Sequence, residues 1–145
     1  MAEIFESAGY ALLYGLVGFV VMACGFVALD VVTPGKLVHV VWRERNRGAA
    51  VLLGGQTLAI GLIIADAIRS SESEQGLADG LFSTLLYGLA GVLVMTLVAV
   101  VVSLMTPGRM GHAVLEDDGD RPHPAAWVQA AMYVGTAFMV GAALS

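Results

Sequence analysis

Apolar residues run almost unbroken through four stretches of the chain: roughly Ala8–Leu29, Ala49–Ile68, Leu81–Met105 and Pro124–Leu144. Short polar segments separate them. A helix needs ~20 apolar residues to cross ~30 Å of hydrocarbon at ~1.5 Å per residue, and all four stretches qualify. A helix also satisfies every backbone group internally, as lipid demands. The pattern therefore predicts four transmembrane helices. The first is read as a retained span and not a cleaved leader. Its flank, "MAEIFES", carries Glu3 and Glu6 and no positive charge, whereas a signal peptide opens basic.

Composition agrees. Only 13% of the 145 residues are charged and 58% are hydrophobic, with a mean hydropathy of +0.82. Soluble domains carry about 25% charged residues, so this surface must meet lipid. A net charge of −5 removes the basic footprint that nucleic-acid binding requires. A single cysteine, Cys24, excludes an internal disulfide and a cysteine metal cluster. It lies in an apolar run and reads as a small buried or lipid-facing residue.

The cations set an orientation. Lys36, Arg43, Arg45 and Arg47 follow the first span, Arg109 and Arg121 follow the third, and the opposite side holds Arg69. The positive-inside rule then places both longer loops in the cytoplasm and both termini outside.

The chain also repeats itself. "LLYGLVGFVVM" at residues 12–22 is answered by "LLYGLAGVLVM" at residues 85–95. At a constant offset of 73, residues 12–37 and 85–110 share 12 of 26 identities, ending in Thr33-Pro34-Gly35 and Thr106-Pro107-Gly108. His39 and Val41 recur as His112 and Val114; after a small length change, Ala49-Ala50 is answered by Ala125-Ala126. The unit is a helical hairpin present twice, over residues 1–70 and 71–145. Two spans return the chain to its starting side. The copies therefore share one orientation and are related by an axis along the membrane normal, as in parallel-repeat transporters.

Pro disfavours helical geometry at the residue before it, so the first span is expected to end near Thr33. Thr caps a new helix well and Pro suits its first position. A short amphipathic helix is predicted from Pro34 to about Arg45, with Leu37, Val38, Val41 and Trp42 on its apolar side and Lys36, His39 and Arg43 on the other. That is the pattern of a helix lying in the membrane interface. A shorter counterpart is expected from Pro107 to about Leu115, before the turn-rich "EDDGDRPHP".

"LDVVTPGKL", the following "NRGAA", the "GLIIADAI" that closes the second span and the second-copy "TPGRM" resemble the domain of unknown function 350 family, over nearly the whole chain. Members of that family are small bacterial and archaeal inner-membrane proteins with four predicted helices in two such repeats. No catalytic or binding residues are established for it, so none is carried over. Its members are often encoded beside enzymes resembling polyamine synthases and peptide ligases. The resemblance thus implies an accessory role in an envelope or stress pathway.

Several residues are candidates for more than packing. Gly15, Gly18 and Gly25 in span one, with Gly88 and Gly91 in span three, let helices approach closely; a gate or hinge is the sharper reading. Tyr14 and Tyr87 lie deeper than an aromatic belt, and a buried hydroxyl wants a partner. Gln56 and Gln129 are the polar candidates in the even spans. Asp30 and Asp66 complete a candidate intramembrane polar network, although both lie near an interface and Arg69 stands at i+3 from Asp66. His39 and His112 invite metal or haem ligation, or a pH-responsive role at the surface. Across the cytoplasmic loops, Arg43 answers Glu116 and Arg45 answers Asp118 at the constant offset. These pairs are candidates for charge pairing within the chain or between copies.

The sequence therefore predicts an all-α membrane protein of two tandem parallel hairpins in the bacterial inner membrane. Four helices enclose little, so a homo-oligomer is expected, with a further cytoplasmic or membrane protein partner. No triad, phosphate loop or metal-spaced cluster points to an enzyme, and no cofactor is expected. The function expected is a structural or regulatory scaffold. A small channel or transporter is the alternative, and a haem or quinone electron carrier a third reading.

Overall fold

In a computed structural model, residues 2–32, 37–71, 76–105 and 121–144 are described. They form helices α1 (Ala2–Val32), α2 (Leu37–Trp42), α3 (Arg47–Ser70), α4 (Leu77–Met105) and α5 (Pro124–Leu144), with no strand among the described residues. α1, α3, α4 and α5 are long and apolar enough to cross a membrane.

The apolar pattern underestimates two of these helices. α1 starts at Ala2 and not near residue 8, and α4 starts at Leu77 and not at residue 81. Hydropathy marks where lipid contact begins, while the helix continues through polar turns that suit it. Glu3 lies in the first turn of α1, where an acid meets the positive helix end. Tyr10 donates a hydrogen bond to the Glu6 carboxylate one turn back, at 2.9 Å.

The short surface helix ends earlier than expected. α2 stops at Trp42, and Arg45 takes a left-handed φ of 53°. The reason lies in the next residue. Asn46 caps α3 by accepting the Ala49 N–H at 2.8 Å, and a capping residue holds an extended and not a helical backbone. Leu37 and Val40 are buried and anchor α2 against α3, while His39 and Trp42 stay exposed. The Thr33-Pro34-Gly35 junction, Lys36, and the whole second surface segment through Asp120 lie outside the described residues.

α3 is the centre of the bundle, touching α1, α2, α4 and α5. Its most extensive contact is with α5, while α1 packs chiefly on α4. Within each hairpin the two long helices touch one another less. The core between them holds Val21, Leu29, Ile60, Ile63 and Met95. Large apolar side chains such as Leu16, Phe19, Leu93, Leu97 and Phe138 point outward, which suits a surface facing lipid.

The closest approach joins α3 to α5. A Cβ placed on Gly55 would stand 2.7 Å from the Ala130 Cα, so nothing larger than hydrogen fits without moving a backbone. Gly88 receives Val21 and Gly18 receives Ile64 in the same way, each with 2.9 Å to a methyl carbon. Without a hydrophobic drive between helices in lipid, such contacts supply the packing energy. Gly55→Val is expected to lower the unfolding free energy by about 2 kcal/mol, the usual cost of overpacking. Gly9→Val, where no atom lies within 4 Å, is expected to leave it unchanged. Denaturant titration in mixed micelles, followed by circular dichroism, reads the difference.

Candidate functional site

Polar side chains inside the bundle belong mostly to α3 and α5. The hydroxyls are satisfied locally. The buried Thr84 and Thr136, the half-buried Thr96 and the exposed Thr57 each donate to the carbonyl four residues back, at 2.7–2.9 Å, a bond that a helix offers to any threonine. Their single donors are spent within their own helices.

The two glutamines differ. Gln56 is 2% exposed and Gln129 is 4% exposed. Each lies one residue from the Gly55–Ala130 contact, on the two helices that approach most closely. The Gln56 Nε2 and the Gln129 Oε1 are both buried without a hydrogen-bond partner. One is a donor and the other an acceptor, and a carboxamide can present either. An unsatisfied buried polar atom costs about 1–3 kcal/mol. This pair therefore sits in the membrane with unused hydrogen-bonding capacity.

The six residues read as one polar network separate into distinct places. No hydrogen bond among the described residues joins the tyrosines to the glutamines. Tyr14 is half-buried with its hydroxyl against Gly80 of α4, whereas Tyr87 is exposed on the groove between α4 and α5. The physical reason is helical phase: Tyr14 turns toward α4, but Tyr87 on α4 turns away from α1. Asp30 lies in the last turn of α1 with a buried Oδ1 that has no partner.

Asp66 belongs to the other end of the bundle. Arg69 Nη1 donates to its Oδ1 at 2.8 Å, and its carboxylate rests on Gly141 of α5. Beside it the Ser70 hydroxyl lies 2.9 Å from the Leu144 carbonyl and 2.8 Å from the Asp66 carbonyl, tying the end of α3 to the end of α5.

Of the five glycines expected to pack, four do. Gly18 and Gly88 are described above; a Cβ on Gly25 would stand 3.0 Å from Ile60 and from Val92, and Gly91 lies against Ile63 and Val140. Gly15 does not: it is exposed and has no neighbouring atom within 4 Å. The buried stripe of α1 runs through Gly18, Val21, Gly25 and Leu29, which turns Gly15 outward. Gly55, Gly80 and Gly141, which also form tight approaches, carry no sequence signal that separates them from other small residues.

On the surface, His39 Nδ1 stands 3.7 Å from Glu44 Oε1, a pair that gains charge only when the imidazole is protonated. Arg43 and Arg45 are exposed. Their expected partners Glu116 and Asp118, like His112, lie outside the described residues. Among the described residues no three His, Cys, Asp or Glu side chains group closely enough to hold a metal ion.

Replacing both amides together, as Gln56→Met with Gln129→Met, is expected to leave stability unchanged or raise it by ~1 kcal/mol, because two unpaired polar groups are removed. The same micelle titration checks this. A loss of more than ~1 kcal/mol would mean that the amides are bonded to something within the folded protein.

The curated relatives are membrane proteins without an assigned activity. The chain is 32% identical over 142 residues to a UPF0719 transmembrane protein of Mycolicibacterium paratuberculosis, covering 98% of this chain and 91% of that one. It is 33% identical over 145 residues to UPF0719 transmembrane proteins of Mycobacterium bovis and Mycobacterium tuberculosis, covering all of this chain and 92% of theirs. No solved structure matches. The family model described as Domain of Unknown Function (DUF350) matches residues 3–144, and with four span-capable helices this chain is a transmembrane protein that belongs to the DUF350 family.

Proposed function

We propose that the chain is the subunit of an oligomeric, non-enzymatic membrane scaffold in the bacterial inner membrane. Its termini stand outside and α2, with the arginines that follow it, faces the cytoplasm, where a protein partner docks. The observation that carries this reading is where the helices leave room. A groove of about 660 Å³ runs along α3 beneath α2, past Ala50, Gly54, Thr57 and Gly61. A second, of about 270 Å³, lies between α4 and α5 beside Tyr87 and Val94. Both open outward and both are apolar. Grooves of that kind, lined by small residues, suit the side of another helix better than a polar solute. The unpaired Gln56 and Gln129 favour a second reading, a small channel or transporter in which these amides touch the permeating species.

Native mass spectrometry of the protein released from lipid nanodiscs is expected to give multiples of 15.1 kDa. Crosslinking in intact membranes is expected to recover a partner. A lone monomer with no crosslinked neighbour overturns the scaffold reading. For the second reading, proteoliposomes are the test: solute or ion flux above empty vesicles that disappears in Gln56→Met supports it, and no flux across a series of pH and voltage removes it.

A further inference from the structure

We infer that a second copy of the chain docks on the first head to tail, through the same contact that joins the two hairpins inside one chain. This rests on the oligomeric reading above and names its interface. Inside the chain α1 and α4 run parallel, because Tyr14, Val21 and Gly25 meet Gly80, Gly88 and Val92 in that order. α3 and α5 do the same, since Gly55 meets Ala130 and Asp66 meets Gly141. Each long helix of the first hairpin therefore stands beside its own counterpart in the second.

The two hairpins do not use the same faces. α4 turns Gly80, Thr84, Gly88 and Val92 into the protein, all of them buried. Seventy-three positions earlier stand Ser7, Ala11, Gly15 and Phe19 on α1, all of them exposed. A half-turn between the hairpins would bury both sets together. One set buried and the other bare marks units set in a row, where the front of one meets the back of the next.

The back of the second hairpin is bare as well. α4 rests on Tyr14 and Val21 of α1 and on the Ser71 carbonyl at the end of α3. The counterparts of Tyr14 and Val21 are Tyr87 and Val94. Both line the open groove between α4 and α5. The even-numbered spans repeat the pattern independently. With the three-residue length change of the even spans, α3 offers Gly55 and Asp66 to α5, and their counterparts Ala131 and Ala142 are exposed on α5. α5 answers Gly55 with Ala130, whose counterpart Gly54 is exposed in the groove along α3.

A second copy carries the complement to both grooves at once. Its α1 brings Ser7, Ala11, Gly15 and Phe19 to the α4–α5 groove, while its α3 groove receives the Ala131 and Ala142 face. The contact continues the interface that already exists between the hairpins, so that α1 and α4 alternate along one line and α3 and α5 along another. Because front and back differ, the contact is heterologous and either closes into a ring or extends as a row.

Inside the chain Gly88 meets Val21, so Gly15 of one copy is expected to meet Val94 of the next. Within one chain these two residues stand about 18 Å apart along parallel helices, twelve residues at ~1.5 Å each. A disulfide needs Cβ atoms within ~4.5 Å, so any bridge must join two copies. In a Cys24→Ala background reconstituted in liposomes, oxidation of the Gly15→Cys, Val94→Cys double variant is expected to give a ladder of dimers, trimers and larger species. Each single variant alone is expected to stay monomeric on the gel, and an equal mixture of the two singles to stop at dimers.

Dimers from either single variant would mean a symmetric contact and overturn the inference. If the double variant gives no bridge, native mass spectrometry separates the two readings. Multimers would overturn this interface and leave the oligomer standing, whereas a lone monomer would overturn both. Gly15→Leu supplies a check that needs no cysteine. The position is empty in a single chain, so helix content and micelle unfolding are expected to hold while self-association weakens about tenfold or more. Unchanged association in that variant would also overturn the interface.

Discussion

A helix bundle in lipid has to be held together without the force that folds soluble proteins. Hydrocarbon chains solvate a leucine as well as another leucine does, so burying apolar surface between helices gains little. What remains is close contact, and close contact needs the backbone to be reachable. Gly55 against Ala130 supplies it between α3 and α5, and Gly88 under Val21 supplies it between α4 and α1. The rest of the arrangement depends on these approaches. They bring α3 to the centre, leave α1 at the edge, and press the two buried glutamines toward one seam.

That seam is where the protein departs from a purely structural economy. The threonines close their hydrogen bonds on their own helices, so they cost little wherever they point. Gln56 and Gln129 are too long for that solution and sit with open valences in the least forgiving solvent available. Asp66, by contrast, is held near the end of its helix, where Arg69 and the wet interface are within reach. The distribution is orderly: charge near the ends, neutral amides inside, nothing ionised at the middle of a span.

The architecture was legible because its constraint is global. The four spans follow from length, and their existence does not depend on which residue faces which neighbour. Their ends were harder: α1 and α4 begin several residues before the apolar run, because Glu3 and Asp79 are good company for a helix start although poor company for lipid. The packing faces were legible only where a glycine marked them, and not everywhere even then. In a soluble helix the polar stripe reveals the buried one. Here Phe19 toward lipid and Val21 toward α4 are equally apolar, so the periodicity that separates inside from outside is silent. That is why Gly15 looked like its neighbours Gly18 and Gly25, and why Gly55 and Gly141 went unmarked. It is also why Tyr14 and Tyr87, alike in sequence, have different surroundings.

The unequal sharing of polar residues has a consequence for how the chain enters its membrane. Away from their ends α1 and α4 carry no charged or amide side chain, whereas α3 and α5 each carry a buried glutamine. As the chain emerges from the ribosome, a nearly pure apolar helix comes first in each hairpin and can wait alone in lipid. The costlier helix follows it. The order of the spans thus sets a strongly apolar helix ahead of each less apolar one.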